Sequence, residues 1–192
     1  MSTAETFDRA AEAFKARVDA TAPDQWGNAT PCRDWDVRTL VNHVASELRW
    51  ITPMLDGKTI AEVGDRLDGD LLGDDPQRAF GEAVREATSA ASAPEALAQT
   101  VHLSFGDREA DSYIREVTTD LVIHSWDLAR GIGAHDRLDA GLVAFAQTTL
   151  EPQAEAWRAG GAFGPAVEVA ADADAQTRLL AITGRRADAP VG

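Results

Sequence analysis

The stretch 120–127, DLVIHSWD, sets a histidine between two aspartates, at separations of four and three residues, inside an apolar segment. At about 100° per residue, a helix brings Asp120, His124 and Asp127 into a sector roughly 60° wide. Glu116 and Tyr113 continue that sector toward the N-terminus. Burying an unpaired carboxylate costs as much as a modest domain has in total stability, so the stripe requires a cation, a water-filled cavity or basic partners. A second segment, VNHVASELRW at 41–50, places His43, Glu47 and Trp50 on one flank, beside an apolar stripe that includes Leu40 and Val44. Two imidazoles and one carboxylate suit a borderline divalent ion such as Zn²⁺, with a position left open for water or substrate. The same spacing also fits a hydrogen-bonded structural pair, because buried polar groups are normally satisfied. Neither helix decides between these alone.

The elements that must carry these residues are helical. Ser2 to Glu5 forms a capping-box pattern, and Phe7, Ala10, Ala11, Phe14 and Val18 follow at helical spacing, which predicts a helix to about Thr21. After the polar connection NATPCRDWD, an apolar stripe from Val37 to Ile51 predicts a second helix of roughly four turns, closed near Gly57. Residues 57–75 read as a loop with at most a short helix, and Asp74-Asp75-Pro76 starts a third helix. A helical turn at 94–99 and extended chain over TVHLSFGD lead to one long helix from Ser112 to Arg130, stopped by Gly131. Its apolar residues point in many directions, so it is expected to be central. Asp139 caps a further helix that Pro152 bends or restarts, and the tail suggests a short strand at Val167–Val169 followed by an Asp-capped helix ending at Gly184. The expected fold is mainly all-α: a four-helix bundle over residues 1–160 carrying the site, with a short strand/helix extension over 161–192 packed on it.

Composition narrows the function. The chain has 192 residues, enough for one domain with a substantial core. A formal net charge of −14 with no basic patch argues against nucleic-acid or anionic-membrane surfaces. The N-terminus has neither a signal-peptide nor a membrane-span pattern, so a cytoplasmic protein is expected. Cys32 is the single cysteine, which excludes an intramolecular disulfide and leaves histidines and carboxylates as the main metal ligands.

Other residues invite chemistry less strongly. Cys32 lies near the start of the second helix, where a helix dipole and Arg33 could lower a thiol pKa, although a packing role is favoured. Trp35, Trp50 and Trp126 read as core, with a pocket lining as the alternative. His102 and His135 fall outside the two helix faces and read as surface or loop residues. GIGAHD follows a helix instead of a strand and is no dinucleotide fingerprint; no P-loop or nucleophile elbow is present.

Four blocks in order, TPCRDWDVRTLVNHV (30–44), LSFGD (103–107), TDLVIHSWDLARGIG (119–133) and FGPAVEVAADADAQTRLLAITGR (163–185), resemble the landmarks of an actinobacterial metal-binding family. That family is related to mycothiol-dependent maleylpyruvate isomerase and belongs to the DinB-like superfamily of four-helix metal proteins. The resemblance implies a DinB-like bundle with a divalent ion, Zn first and Ni or another as alternatives, on His43, Asp120 and His124. In the isomerase the carboxylate is a glutamate; Asp120 is one methylene shorter. Asp127 is assigned a supporting role more readily than ligation. Glu47 is a further candidate for support, with a solvated or salt-bridged role favoured for it and for Glu116. The resemblance further implies a mycothiol-dependent isomerase or S-transferase acting on a small electrophile, with a thiol and that electrophile as partners. A homodimer also fits. A non-catalytic metal-stabilised binding module and a metal-dependent hydrolase are the alternatives.

Overall fold

The computed structural model describes residues 1–188. Helix α1 (Thr3–Asp19) begins as its capping box requires: the Glu5 amide donates to the Ser2 hydroxyl at 3.2 Å, and the Ser2 amide to the Glu5 carboxylate at 2.7 Å. Helix α2 (Val37–Leu55) is capped by Asp36, whose carboxylate accepts from the Thr39 amide at 2.8 Å. A four-residue helix, α3 (Ile60–Val63), interrupts the acidic loop, and α4 (Pro76–Ala91) starts behind Asp75. A 3₁₀ turn at Ala96–Ala98 leads into an antiparallel hairpin of β1 (Thr100–Leu103) and β2 (Gly106–Glu109). Then follow α5 (Ala110–Gly131), α6 (Ala140–Leu150), a 3₁₀ turn at Glu151–Gln153, α7 (Ala154–Ala159) and α8 (Ala175–Ile182).

Helices α1 and α2 each pack against both α4 and α5, which closes a four-helix ring in the order α1, α4, α2, α5. Phe7, Phe14, Leu40, Leu48, Phe80 and Ile114 fill its centre. Each such side chain contributes roughly 1.5–3 kcal/mol of burial. Helix α6 covers the outer side of α5, and α8 packs on α6. Covered on both sides, α5 buries residues around almost its whole circumference, as its apolar pattern predicts. Among the described residues no helix is long and apolar enough to cross a membrane.

Three local expectations need correction. The extended segment 100–107 folds back on itself, because Gly106, at φ +122, supplies a turn that a side chain would strain. Helix α5 ends at Gly131, which is its last residue rather than the one beyond it. A Cβ there would meet Val37 Cγ2 at 2.9 Å and Thr30 Cγ2 at 3.1 Å, so this glycine serves the close approach of the loop before α2. The left-handed residue is Gly133, at φ +65. Finally, Val167–Val169 forms no strand: among the described residues it has no ladder partner, and the Val167 amide donates instead to the Ala181 carbonyl of α8 at 2.9 Å. The rest of the extension is present as α8, with Gly184 in the left-handed region behind it.

Candidate metal centre

His43 projects from α2 toward α5, where Asp120 and His124 stand one turn apart. One ligand atom from each of the three lies within 4.8 Å of the others. Asp120 bridges the two imidazoles: its Oδ2 is 3.4 Å from His43 Nε2, and its Oδ1 is 3.4 Å from His124 Nε2. These separations are long for hydrogen bonds. They match the spacing of two ligand atoms held tetrahedrally around Zn²⁺ at roughly 2.0–2.1 Å, which is about 3.3 Å. The donor set, two ring nitrogens and one carboxylate, therefore fits a divalent ion in type, with one donor atom of each residue converging within 4.8 Å.

The ring orientation of His124 is set from behind. Its Nδ1 donates to Asp127 Oδ2 at 2.8 Å, which leaves Nε2 with its lone pair facing Asp120. Asp127 is fully buried and is held in turn by Arg185, whose Nε donates to Oδ1 at 2.8 Å and whose Nη2 donates to Oδ2 at 2.7 Å. Burial alone would raise the Asp127 carboxyl, but Arg185 and His124 outweigh it and hold the group below the ordinary carboxylate range. Burial likewise opposes charge on His124, yet Asp120 and Asp127 prevail and raise its pKa. At Asp120, burial is again opposed by His124 and His43, and the net shift is downward. Trp35 covers both ligand rings, with ring centroids 4.8 Å from His43 and 5.9 Å from His124.

Cys32, His124 and Asp127 form a second group with converging donor atoms. It lies on the opposite edge of the His124 ring, where Arg185 already neutralises Asp127 and also points Nη2 at Cys32 Sγ, 3.5 Å away. A cation there would face a guanidinium, so the group containing His43 and Asp120 is the better ion site. Cys32 is no activated thiol: burial, and then Asp127, push it up to about 12. Its thiol donates to Asp127 Oδ2 at 3.2 Å. A helix terminus and Arg33 do not govern this thiol.

Two cavities meet at the ligands, and His43, Asp120 and Trp157 line both. The first, about 350 Å³, opens between α2, α5 and the hairpin, and Trp50 forms part of its wall. The second, about 890 Å³, lies between the loop bearing Cys32 and Trp35 and the extension at 161–165 and 183–185. Trp35 and Trp50 thus line cavities as well as pack, whereas Trp126 is core. Glu116 is paired with Arg108 at 3.5 Å, as its expected salt-bridged role requires. Glu47 departs from that expectation. It lines the first cavity without a hydrogen bond or ion pair among the described residues, and burial, with Asp120 adding to it, raises its pKa. His102, bonded to Asp107 at 2.7 Å, and His135 lie away from the centre.

Arg185 is the site residue that sequence reasoning passed over. Its only signal was its place at the end of the last landmark block; the 58 residues separating it from Asp127 gave no spacing to read. Trp157 went unmarked for the same reason.

A family model described as the mycothiol maleylpyruvate isomerase N-terminal domain matches residues 7–129. Two uncharacterised proteins of Mycobacterium tuberculosis, one from strain CDC 1551 and one from strain H37Rv, are each 30% identical over 153 residues, covering 76% of this chain and 78% of theirs. No solved structure matches the chain at a significant level.

Proposed function

The chain belongs to the mycothiol maleylpyruvate isomerase N-terminal domain family, and from that premise we propose that it is a divalent-metal protein acting as a thiol-dependent isomerase or S-transferase on a small electrophile. The observation that carries this reading is the 3.4 Å bridging of His43 Nε2 and His124 Nε2 by the two oxygens of Asp120. His43, Asp120 and His124 would hold the ion. When bound, it would supply Lewis acidity toward an oxygen and stabilise a thiolate at neutral pH. Zn²⁺ suits the donors best, and mycothiol is the thiol that the family description suggests.

The remaining roles belong to the chain's own groups. Asp127 accepts the Nδ1 proton of His124 and so directs Nε2 to the ion; Arg185 holds Asp127 in place. Trp35 shields one side of both imidazoles from water. Two cavities reaching the same ligands favour an accessible centre over a purely structural ion, since one can receive the thiol and the other the electrophile. Cys32 takes no part as nucleophile, because its proton is held too tightly.

The test begins with protein purified without an affinity tag. Elemental analysis is expected to find about one divalent ion per chain, lost in His43→Ala and His124→Ala variants. The loaded protein is then incubated with an electrophile panel, with and without mycothiol, and products are read by mass spectrometry. Thiol-dependent turnover supports the reading; absence of stoichiometric metal, or turnover equal without thiol, overturns it.

A further inference from the structure

The cavity of about 350 Å³ beside the ligands has an unusual wall. Four aromatic side chains line it: Trp50 from α2, Phe105 at the hairpin turn, Tyr113 from α5 and Trp157 from α7. Glu47 and Glu116 share the lining, and no lysine or arginine does among the described residues. The guanidinium of Arg108 pairs with Glu116 from outside and lies 5.3 Å from the Phe105 ring centroid, so one of these two acids is already neutralised. Asp120, at the inner end, faces the imidazoles of His43 and His124. Glu47 is left. Neither its carboxylate nor the Tyr113 hydroxyl makes a side-chain hydrogen bond among the described residues, although both belong to the cavity wall.

An unpaired carboxylate in a largely apolar enclosure is costly unless a cation or donor reaches it. Aromatic faces carry negative electrostatic potential at their centres, and several around one volume attract an organic cation. The two features therefore favour the same kind of occupant. The volume lies at the small end of the range for small-molecule sites, roughly 300–1,000 Å³, which suits one ring with a short substituent.

We propose that this cavity binds a small organic cation, an ammonium group on an apolar or aromatic body, with Glu47 as its counter-ion and Trp50, Phe105, Tyr113 and Trp157 as the surrounding wall. An anionic ligand such as a dicarboxylate is disfavoured at the Glu47 end, where like charges meet in a low-dielectric enclosure. That the cation is the electrophilic substrate rests on the proposed metal- and thiol-dependent reading; its binding does not.

Benzyltrimethylammonium is a suitable probe, because its nitrogen has no lone pair and cannot ligate a metal. Benzyl alcohol is the uncharged comparison. Calorimetric titration of the metal-loaded protein is expected to show the cation binding at least about tenfold more tightly than the alcohol, the ratio that ~1.4 kcal/mol of ionic and cation–π attraction produces. In Glu47→Gln the preference is expected to shrink to about twofold while alcohol binding persists, which shows that the cavity is intact. The proposal is overturned if the cation fails to bind at millimolar concentration, if the alcohol binds as tightly, or if Glu47→Gln leaves the preference unchanged. Repeating the titration after chelator treatment separates the two ideas. A cation preference that persists after chelation keeps this proposal whatever the metal analysis and thiol assay find, whereas stoichiometric metal and thiol-dependent turnover without the preference overturn this proposal and leave the catalytic reading standing.

Discussion

Arg185 grips Asp127 with two hydrogen bonds, Nε to Oδ1 at 2.8 Å and Nη2 to Oδ2 at 2.7 Å, and so ties the C-terminal extension to the central helix beneath the ligand His124. Arg185→Ala would strand a fully buried carboxylate and is expected to destabilise the metal-free protein by about 3–5 kcal/mol, read by urea denaturation. Asp127 is held low, so its stabilising contribution is complete above its unfolded value of about 3.9 and fades as pH falls through the depressed folded value. Acid unfolding of the variant should therefore begin at higher pH than that of the parent.

Asp127→Asn retains the shape but can donate toward His124 Nδ1, favouring the tautomer that carries its proton on the metal-facing nitrogen. Zinc affinity, measured by chelator competition, is expected to fall about 10- to 100-fold, as for other partners that orient ligating histidines. Unchanged affinity would show that the His124 orientation does not depend on this bond.

Metal affinity should depend steeply on pH. His124 binds its proton more tightly than an ordinary histidine, because Asp120 and Asp127 outweigh burial. An ion must displace that proton, so apparent affinity is expected to rise about tenfold per pH unit below the His124 pKa, accompanied by proton release in calorimetry. In the metal-free protein the sign reverses: the charged imidazole stabilises the fold fully below the unfolded value of about 6.5 and loses that contribution as pH rises through the raised folded value.

Cys32 should resist alkylation. With its pKa pushed up to about 12, the native thiol is expected to react with iodoacetamide at pH 8 at least about a thousandfold more slowly than the same thiol in urea. Rapid labelling of the folded protein would contradict the buried Cys32–Asp127 contact.

Gly131→Ala tests the close approach of the loop before α2. The added methyl would lie 2.9 Å from Val37 Cγ2, and the overpacking is expected to cost about 1–3 kcal/mol in thermal or urea unfolding.

The sequence by itself determined the helices, because periodicity and caps are local: Ser2 with Glu5, Asp36 before Val37 and Asp75 before Pro76 each announce a helix within a few residues. It also determined that Asp120, His124 and Asp127 share a face, since helical geometry leaves no choice once α5 forms. Family resemblance pointed to His43; periodicity could put it on a flank of α2 but could not say what that flank meets. Tertiary structure decided the rest. Asp127 is held from behind because Arg185 arrives from 58 residues away, and Cys32 is silent because that pair surrounds it. Glu47 has no ion-pair partner among the described residues, whereas Glu116, on the same cavity wall, meets Arg108 from the hairpin. Buried charges take their character from whichever group reaches them first in space, and chain spacing carries that information only within a few turns of one helix.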